Sequence, residues 1–524
     1  MSRIGVNFPA AFAYRASLDP SQECLVDVNA GAPTRRWSYG ELDRAADEVA
    51  AGLAAVGVGS GDRVVLRLRN TGEFLLALLG TLRAGAIAVP TIRQYSADEL
   101  AFAIGDCEAA CLIFDDEDRA PIEAVVPAGV RVFHAGAPAD AADALAELRG
   151  QDAPGEELGI GAPHQQIDAS DDALIFYTSG TTSKPKGVVL SHGAILDSCL
   201  LNAEAWRMRA SDRSYVVLPL FHCNALFMQT IPALLSGATA ILGDRYSASR
   251  YLDECREHRI TLANITAGAI RSLLAQPAGP GDLDHEIRLL TFGLPLHGEE
   301  IEAAEARYGF PVRMCYGLTE SAAGGTRGPL HIDPRSGWQS LGPAQSGWEV
   351  AIGDPDGNHL PPGEVGEILF RGPGLMSRYW GRPELTAETL RDGWLRTGDL
   401  GTIDDAGFAH FHSREKDMLK PKGENVAASE IELALEAHPA VAEAAVVGLF
   451  DPHHEERVVA VLAGEPCADE ELGTHCGELL APFKVPSEYV WVDELPKTSI
   501  GKINKGEIKA ALEARPVEEV GDAR

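Results

Sequence analysis

The sequence predicts an α/β protein. It should have a large N-terminal domain of two βα-layered subdomains plus a small β-barrel-like subdomain, and a small α+β C-terminal domain. Three observations carry that reading. Apolar strands and helical stretches alternate between about residues 38 and 316, the pattern of βαβ units on a parallel sheet. From Gly342 short strands alternate with turns such as Asp354-Pro355-Asp356-Gly357 and Pro361-Pro362-Gly363, as in a small antiparallel barrel or meander. After Phe411 helices return and close a separate unit. With 524 residues the chain is also too long for one core.

Residues 38–56 read as an amphipathic helix, with Ser38 as its cap, Glu41 completing a capping box and Gly57 stopping it. A strand at 63–68, an Ala/Leu-rich helix at 71–84 and a strand at 111–114 continue the alternation. Residues 135–170, rich in Ala, Pro and Asp, read as a surface helix and loop. Further strands are expected at 173–177, 215–218, 239–242, 287–292 and 312–316. Ligands of open α/β sheets bind beyond the carboxyl ends of the strands, so loops far apart in sequence can converge there. In the C-terminal unit Ser429 is expected to cap a helix with Glu432 as its capping-box partner. Strands at 441–447, 458–462 and 489–492 and a last helix follow, before an acidic tail from Arg515 that should fray. The domain boundary falls near 413–417, dividing the chain into 1–413 and 414–524.

Composition excludes some functions. The chain carries 45 Lys and Arg against 77 Asp and Glu, a net charge of −32. That disfavours nucleic acid as a partner and requires any anion site to concentrate its cations locally. Nine scattered cysteines, none in a CxxC pair, read as reduced thiols of a cytoplasmic protein. His453 and His454 beside Asp451 and Glu455 read as a solvated turn rather than a metal site. The first residues lack a signal-peptide pattern. No stretch approaches the roughly 20 apolar residues of a membrane span.

Five loops stand out. Thr178-Ser179-Gly180-Thr181-Thr182-Ser183-Lys184-Pro185-Lys186-Gly187 leaves a strand and precedes a helix starting near His192. Its glycines allow close backbone approach, and its hydroxyls and lysines are the donors and charge that phosphate oxygens need. The Walker A spacing is absent. Tyr316-Gly317-Leu318-Thr319-Glu320 places a carboxylate after a strand, where it could ligate Mg²⁺. Thr397-Gly398-Asp399-Leu400 exposes an aspartate able to accept ribose hydroxyls. The segment 413–425 is basic within an acidic chain, and Pro496-Lys497-Thr498-Ser499-Ile500-Gly501-Lys502 sets a lysine on a turn. Taken singly, each also has a plain reading as a polar turn or a linker.

Together and in this order, the five resemble the adenylate-forming superfamily of acyl-CoA synthetases, luciferases and peptide-synthetase adenylation domains, over about residues 37–502. TSGTTSKPKGVV at 178–189, LPLFH at 218–222, KGENV at 422–426 and FKVP at 483–486 are most similar to acyl-CoA synthetases of the crotonobetaine/carnitine-CoA ligase branch. The resemblance implies ATP, Mg²⁺ and coenzyme A as cofactors, a carboxylic acid as substrate, and a catalytic set of Lys502, Thr319, Glu320, His222 and Lys416. It implies that Thr178, Ser179, Gly180, Thr181, Thr182, Lys184 and Lys186 hold the β- and γ-phosphates. Gly293, Leu294, Pro295, Tyr316 and Gly317 would flank adenine and the acyl pocket, and Asp399 and Arg414 would hold the ribose. Thr319 would meet the α-phosphate and Glu320 would bind Mg²⁺. Lys502 would bridge carboxylate and α-phosphate, Lys416 would be the hinge, and Gly423 would line the pantetheine tunnel. A homodimer is compatible with the resemblance.

Two positions depart from the family pattern: Ser413 stands where glycine precedes the ribose arginine, and Leu294 where alanine follows Gly293. Both bear on the first half-reaction, so an enzyme of one half-reaction remains open. So do a carrier-protein acceptor, a luciferase and a non-catalytic adenylate-binding protein. Phe221-His222-Cys223-Asn224 lacks the aspartate that amino-acid-activating domains carry nearby. His222, Asn224, 265–270 and 292–296 are candidates for the acyl pocket. Ala322, Ala323, Gly324 and Gly325 are all small, which implies room there for a bulky or long acyl group.

Overall fold

Ser38 starts the first long helix as the sequence implies: its hydroxyl accepts from Glu41 N at 3.2 Å, and the Glu41 carboxylate accepts from Ser38 N at 2.8 Å. The helix runs Tyr39–Ala55 and buries Leu42, Ala46, Val49 and Leu53 against the helix Gly72–Arg83. The structure is a computed structural model that describes residues 5–28, 34–115, 122, 125–135, 145, 148, 167–178, 185–293, 296, 298–330, 340–414, 417–419, 426–451, 455–497 and 503–514.

Two βα-layered sheets form the large domain. One orders its strands as Arg378–Tyr379, Lys186–Ser191, Asp172–Thr178, Ile87–Pro90, Arg63–Arg67, Cys111–Asp115 and Arg131–Ala135. Its last five strands are parallel; the first two add antiparallel. The second orders Gly325–Arg327, Val312–Gly317, Leu289–Gly293, Leu262–Thr266, Arg213–Val216, Thr239–Gly243, Glu23–Val28 and Arg35–Ser38. It is parallel within and closed by one antiparallel strand at each edge. Strands such as Asp172–Thr178 are buried throughout their centre, as expected where helices cover both faces.

A third, antiparallel sheet of six strands contains Trp394–Ile403 and Phe408–Arg414. It joins the second sheet through the bridge Thr326↔Ala344. The C-terminal unit is a three-stranded sheet, Val441–Asp451, Glu455–Gly464 and Glu488–Val492, with helices Ala428–Glu436, Asp469–Leu479 and Lys505–Glu513. Alternating residues feed two small cores on its faces: Val446 and Leu462 on one, Val447 and Val461 on the other. Among the described residues no helix is long and apolar enough to cross a membrane.

Two expectations change, and one strand is new. The helix expected near His192 begins there and runs His192–Ala205, but the residues before it, Lys186–Ser191, form a strand that folds back antiparallel on Asp172–Thr178. The helix Ala428–Glu436 has Ala427, not Ser429, at its cap. Ser429 instead donates to the His412 carbonyl, and Glu432 accepts from Val446 N at 2.7 Å and pairs with Lys505. Leu145 and Leu148 are buried rather than at the surface, while the rest of 136–166 lies outside the described residues. Cys223 immediately precedes a π-helical turn, Asn224–Thr230.

Candidate active site

The carboxyl ends of Asp172–Thr178, Leu289–Gly293 and Val312–Gly317 carry Thr178, Gly293, Tyr316 and Gly317. Thr178 sits opposite Lys186 in the hairpin register. Tyr379, on the strand beside that hairpin, lies under the Lys186 ammonium, 4.6 Å from the ring centre, within cation–π range. Its hydroxyl is 3.5 Å from Lys186 Nζ and donates to Glu320 Oε1 at 2.8 Å. Burial and the nearby Glu320 charge push that phenol up, so it stays a donor.

Thr319 and Glu320 open a short 3-10 turn, Thr319–Ser321, followed by Ala322 and Ala323 with φ of +46° and +58°. Left-handed backbone at two non-glycine residues is strained, which is common where a loop is held for function. Several bonds hold it. Ser321 Oγ donates to Gly324 O at 2.6 Å, and Ser198 Oγ to Ala322 O at 2.8 Å. Gly317 is required by close approach, since a Cβ there would lie 2.7 Å from Gly324 O.

Asp399 and Arg414 face each other in register across adjacent strands, and Arg414 Nε meets Asp399 Oδ1 at 3.1 Å. The other carboxylate oxygen accepts from the Tyr316 hydroxyl at 2.6 Å. Burial and this same carboxylate push the Tyr316 hydroxyl up, keeping it protonated. Asp399 is buried within its strand rather than exposed on a turn as expected, while Arg414 stays partly exposed. Ser413 fits without disturbance: it is buried and its hydroxyl donates to Met418 Sδ at 2.9 Å.

On the opposite side, Asn70 clamps the loop that carries His222, accepting from Leu220 N at 2.9 Å and donating to Leu218 O at 2.8 Å. The His222 ring packs 4.7 Å from Phe221. Cys223 Sγ lies 3.5 Å from the Thr319 hydroxyl, so the loop that carries His222 abuts the Thr319 turn. Cys315 is buried, its thiol pushed up by that burial and donating to Phe292 O at 3.0 Å. Beside Gly324 and Gly325 the expected room is taken up. A Cβ on Gly324 would run into the indole of Trp348, and one on Gly325 would lie 2.8 Å from Phe370. The space those small residues leave is filled by two aromatic rings.

The structure thus brings Thr178, Lys186, Thr319, Glu320, Tyr316, Gly317, Asp399 and Arg414 into one chain of contacts, with Gly293 and His222 beside it. Ser179, Gly180, Thr181, Thr182, Lys184, Leu294, Pro295, Lys416, Gly423 and Lys502 lie outside the described residues. Sequence reasoning missed Asn70, Tyr379 and Arg327. The buried Arg327 donates to the carbonyls of Thr326 at 2.6 Å, Tyr316 at 3.2 Å and Ala323, and to Asn202 Oδ1 at 2.7 Å. It braces the Thr319–Glu320 loop from below. Burial lowers its pKa to about 10, which leaves it charged at neutral pH. Only three-dimensional proximity marks these residues, since none stands in a distinctive spacing.

The donor set suits Mg²⁺, which takes few protein carboxylates and completes its shell with water and substrate phosphates. Glu320 offers hard oxygens beside the Thr319 hydroxyl. Among the described residues no group of three or more His, Cys, Asp and Glu is gathered.

Fold and site define an adenylate-forming enzyme of two structural parts. The chain belongs to the AMP-binding enzymes: that family's model matches residues 12–380, and the AMP-binding enzyme C-terminal domain matches 430–502. It is 35% identical over 480 residues to a feruloyl-CoA synthase of an Amycolatopsis species, covering 90% of this chain and 93% of that one. It is 32% identical over 493 residues to the crotonobetaine/carnitine–CoA ligase of Salmonella paratyphi B, covering 91% and 93%. Among solved structures, ATP-bound MatB of Rhodopseudomonas palustris superposes with a TM-score of 0.85 at 30% identity, covering 97% and 99% of the two chains. The o-succinylbenzoate CoA synthetase of Bacillus subtilis with its acyl-adenylate intermediate gives 0.83 at 29%, covering 95% and 97%. The chain is accordingly an AMP-forming acid–thiol ligase that uses ATP, Mg²⁺ and CoA.

Proposed function

We propose that adenylation and thioester formation both take place in the space bordered by Thr319, Glu320 and His222, with the residue roles that follow. The observation that carries this is the continuous contact chain from Lys186 through Tyr379 to Glu320, with Thr319 in the same turn and Tyr316–Asp399–Arg414 rooted on the same strand. Lys186 and the hydroxyls of the hairpin loop bind the β- and γ-phosphates. Asp399 and Arg414 hold the ribose, Thr319 donates to the α-phosphate, and Gly293 and Gly317 give the adenine and acyl groups room. Glu320 would hold Mg²⁺, which when bound neutralises charge on the phosphates.

The acid's carboxylate oxygen attacks the α-phosphorus, a new P–O bond forms and the bond to pyrophosphate breaks. Lys502 stabilises the added negative charge, electrostatic help that is often the largest single contribution. The CoA thiol, losing its proton, then attacks the acyl carbonyl and AMP leaves. Neither step needs a protein nucleophile. Residues 414–524 act as the mobile domain, turning about Lys416 so that Lys502 withdraws and Gly423 approaches for the second step. Burial pushes Glu436 up to about 7, and Arg271 and Glu300 of the large domain also act on it.

We further propose that the acid is compact or planar rather than long-chain, because Trp348 and Phe370 fill the space behind Gly324 and Gly325. Nine free thiols suit a cytoplasmic enzyme, and the charge of −32 suits one without a nucleic-acid partner. A homodimer is the assembly to test by light scattering. The deciding experiment is ATP-dependent pyrophosphate release over a panel of aryl-propenoic, short-chain and long-chain acids, with and without CoA. Release with compact acids in both conditions, and acyl-CoA only with CoA, supports the proposal. Release only with long-chain acids refutes the pocket reading, and release without any acyl-CoA refutes the two-step reading.

A further inference from the structure

We propose that Tyr379 is a positioning residue for the adenylation step, whose hydroxyl keeps the Lys186 ammonium and the Glu320 carboxylate apart and separately available. The inference rests on the roles proposed above for those two residues. One hydroxyl touches both charges: it donates to Glu320 Oε1 at 2.8 Å and lies 3.5 Å from Lys186 Nζ. The ring beneath it holds the ammonium over its face at 4.6 Å, an attraction that does not consume the ammonium's donors.

The backbone fixes this arrangement from three sides. Tyr379 pairs with Val188 of the hairpin, and Trp380 N donates to Gly187 O at 2.7 Å. Met376 N donates to the backbone carbonyl of Glu320 at 2.8 Å. Tyr379 N donates to Thr386 Oγ1 at 3.0 Å. The short strand Arg378–Tyr379 therefore ties the phosphate hairpin to the Thr319–Glu320 turn, and the tyrosine is buried between them.

Opposite charges this close tend to meet. With no donor between them, Lys186 and Glu320 would close an ion pair, each neutralising the other and occupying donors and acceptors that the phosphates and the metal require. A neutral phenol gives the carboxylate one oriented hydrogen bond and leaves its second oxygen for a cation. Tyr379→Phe keeps the ring, its burial and the cation–π contact, and removes the hydroxyl that bridges the two charges together with its contact to Thr389.

The test uses the full-length enzyme with Mn²⁺ and α,β-methylene-ATP, reading bound Mn²⁺ by electron paramagnetic resonance. Tyr379→Phe should weaken Mn²⁺ binding in the presence of the analogue by about tenfold or more, the scale of a lost hydrogen bond to a charged group. KM for MgATP should rise by a similar factor. Thioester formation from supplied acyl-adenylate and CoA should stay within about twofold, and the melting temperature should hold. In a Lys186→Met background, where no ion pair can close, the same substitution should cost distinctly less. Unchanged Mn²⁺ affinity in Tyr379→Phe overturns the assignment, as does an equal loss in both half-reactions or an equal cost in both backgrounds. If the wild-type enzyme binds Mn²⁺ with the analogue but releases no pyrophosphate with any acid, the activity reading fails while this assignment is still decided by the binding data.

Discussion

His192 gives the sharpest quantitative handle on the large domain. It opens the helix that follows the phosphate hairpin, is fully buried, and neither ring nitrogen has a hydrogen-bond partner among the described residues. Burial lowers its pKa from the ordinary 6.5 to about 4, and a helix N-terminus disfavours a cation further. The unfolded chain therefore binds a proton that the folded one refuses. The histidine costs nothing above pH 6.5, and stability is lost as pH falls through 6.5 until the loss levels off near pH 4. The full difference corresponds to about 3 kcal/mol, of which about 2 kcal/mol is lost by pH 5. Asp27 and Glu436 act in the opposite sense. Burial raises them to about 6 and about 7, and their contributions favour lower pH. The histidine must therefore be isolated by difference. His192→Leu removes the titration, so urea unfolding at pH 7 and pH 5 should show the variant losing about 2 kcal/mol less than the wild type between the two. Parallel losses in the two proteins would refute the reasoning.

Other perturbations separate the parts of the site. Lys502→Ala should slow adenylation by about 10²–10³ while thioester formation from supplied acyl-adenylate largely survives; equal loss of both would undo that division of labour. Lys416→Pro fixes the backbone at the hinge, so adenylation should persist while CoA transfer fails, and unchanged overall synthesis would mean the pivot lies elsewhere. Trp348→Phe vacates part of the space beside Gly324 and should raise kcat/KM for bulkier acids relative to compact ones by about tenfold; an unchanged ratio would place the acyl group elsewhere. The double change Cys223→Ala and Cys315→Ala should keep turnover within about tenfold, and intact-protein mass spectrometry with acid and ATP should find no acyl adduct on either thiol.

What the sequence made legible follows from what each signal depends on. The helix Tyr39–Ala55 and the strands ending at Thr178, Gly293 and Gly317 were readable because periodicity and caps are local. The strand Lys186–Ser191 was not: six residues between a hydroxyl-rich loop and a helix look like a helix lead-in, and only pairing with Asp172–Thr178 makes them a strand. Ser429 and Glu432 had capping-box spacing, yet both side chains are engaged by His412, Val446 and Lys505. Tertiary partners outweighed the local motif. The small residues at 322–325 suggested an open pocket, whereas small side chains mark close approach as readily as empty space, and here the rings of Trp348 and Phe370 make that approach. Tyr379, Asn70 and Arg327 act through contacts distant in sequence and carry no local signature.

The central claim is that the acyl group is activated as an adenylate, and the oxygen of the acid reports it directly. With an acid whose carboxylate carries ¹⁸O in both positions, plus ATP and CoA, the acid's attacking oxygen stays on the α-phosphorus when AMP leaves. The account predicts AMP with one ¹⁸O and acyl-CoA with the other, in equal amounts and with unlabelled pyrophosphate. Unlabelled AMP, or ADP with labelled phosphate in its place, would contradict it.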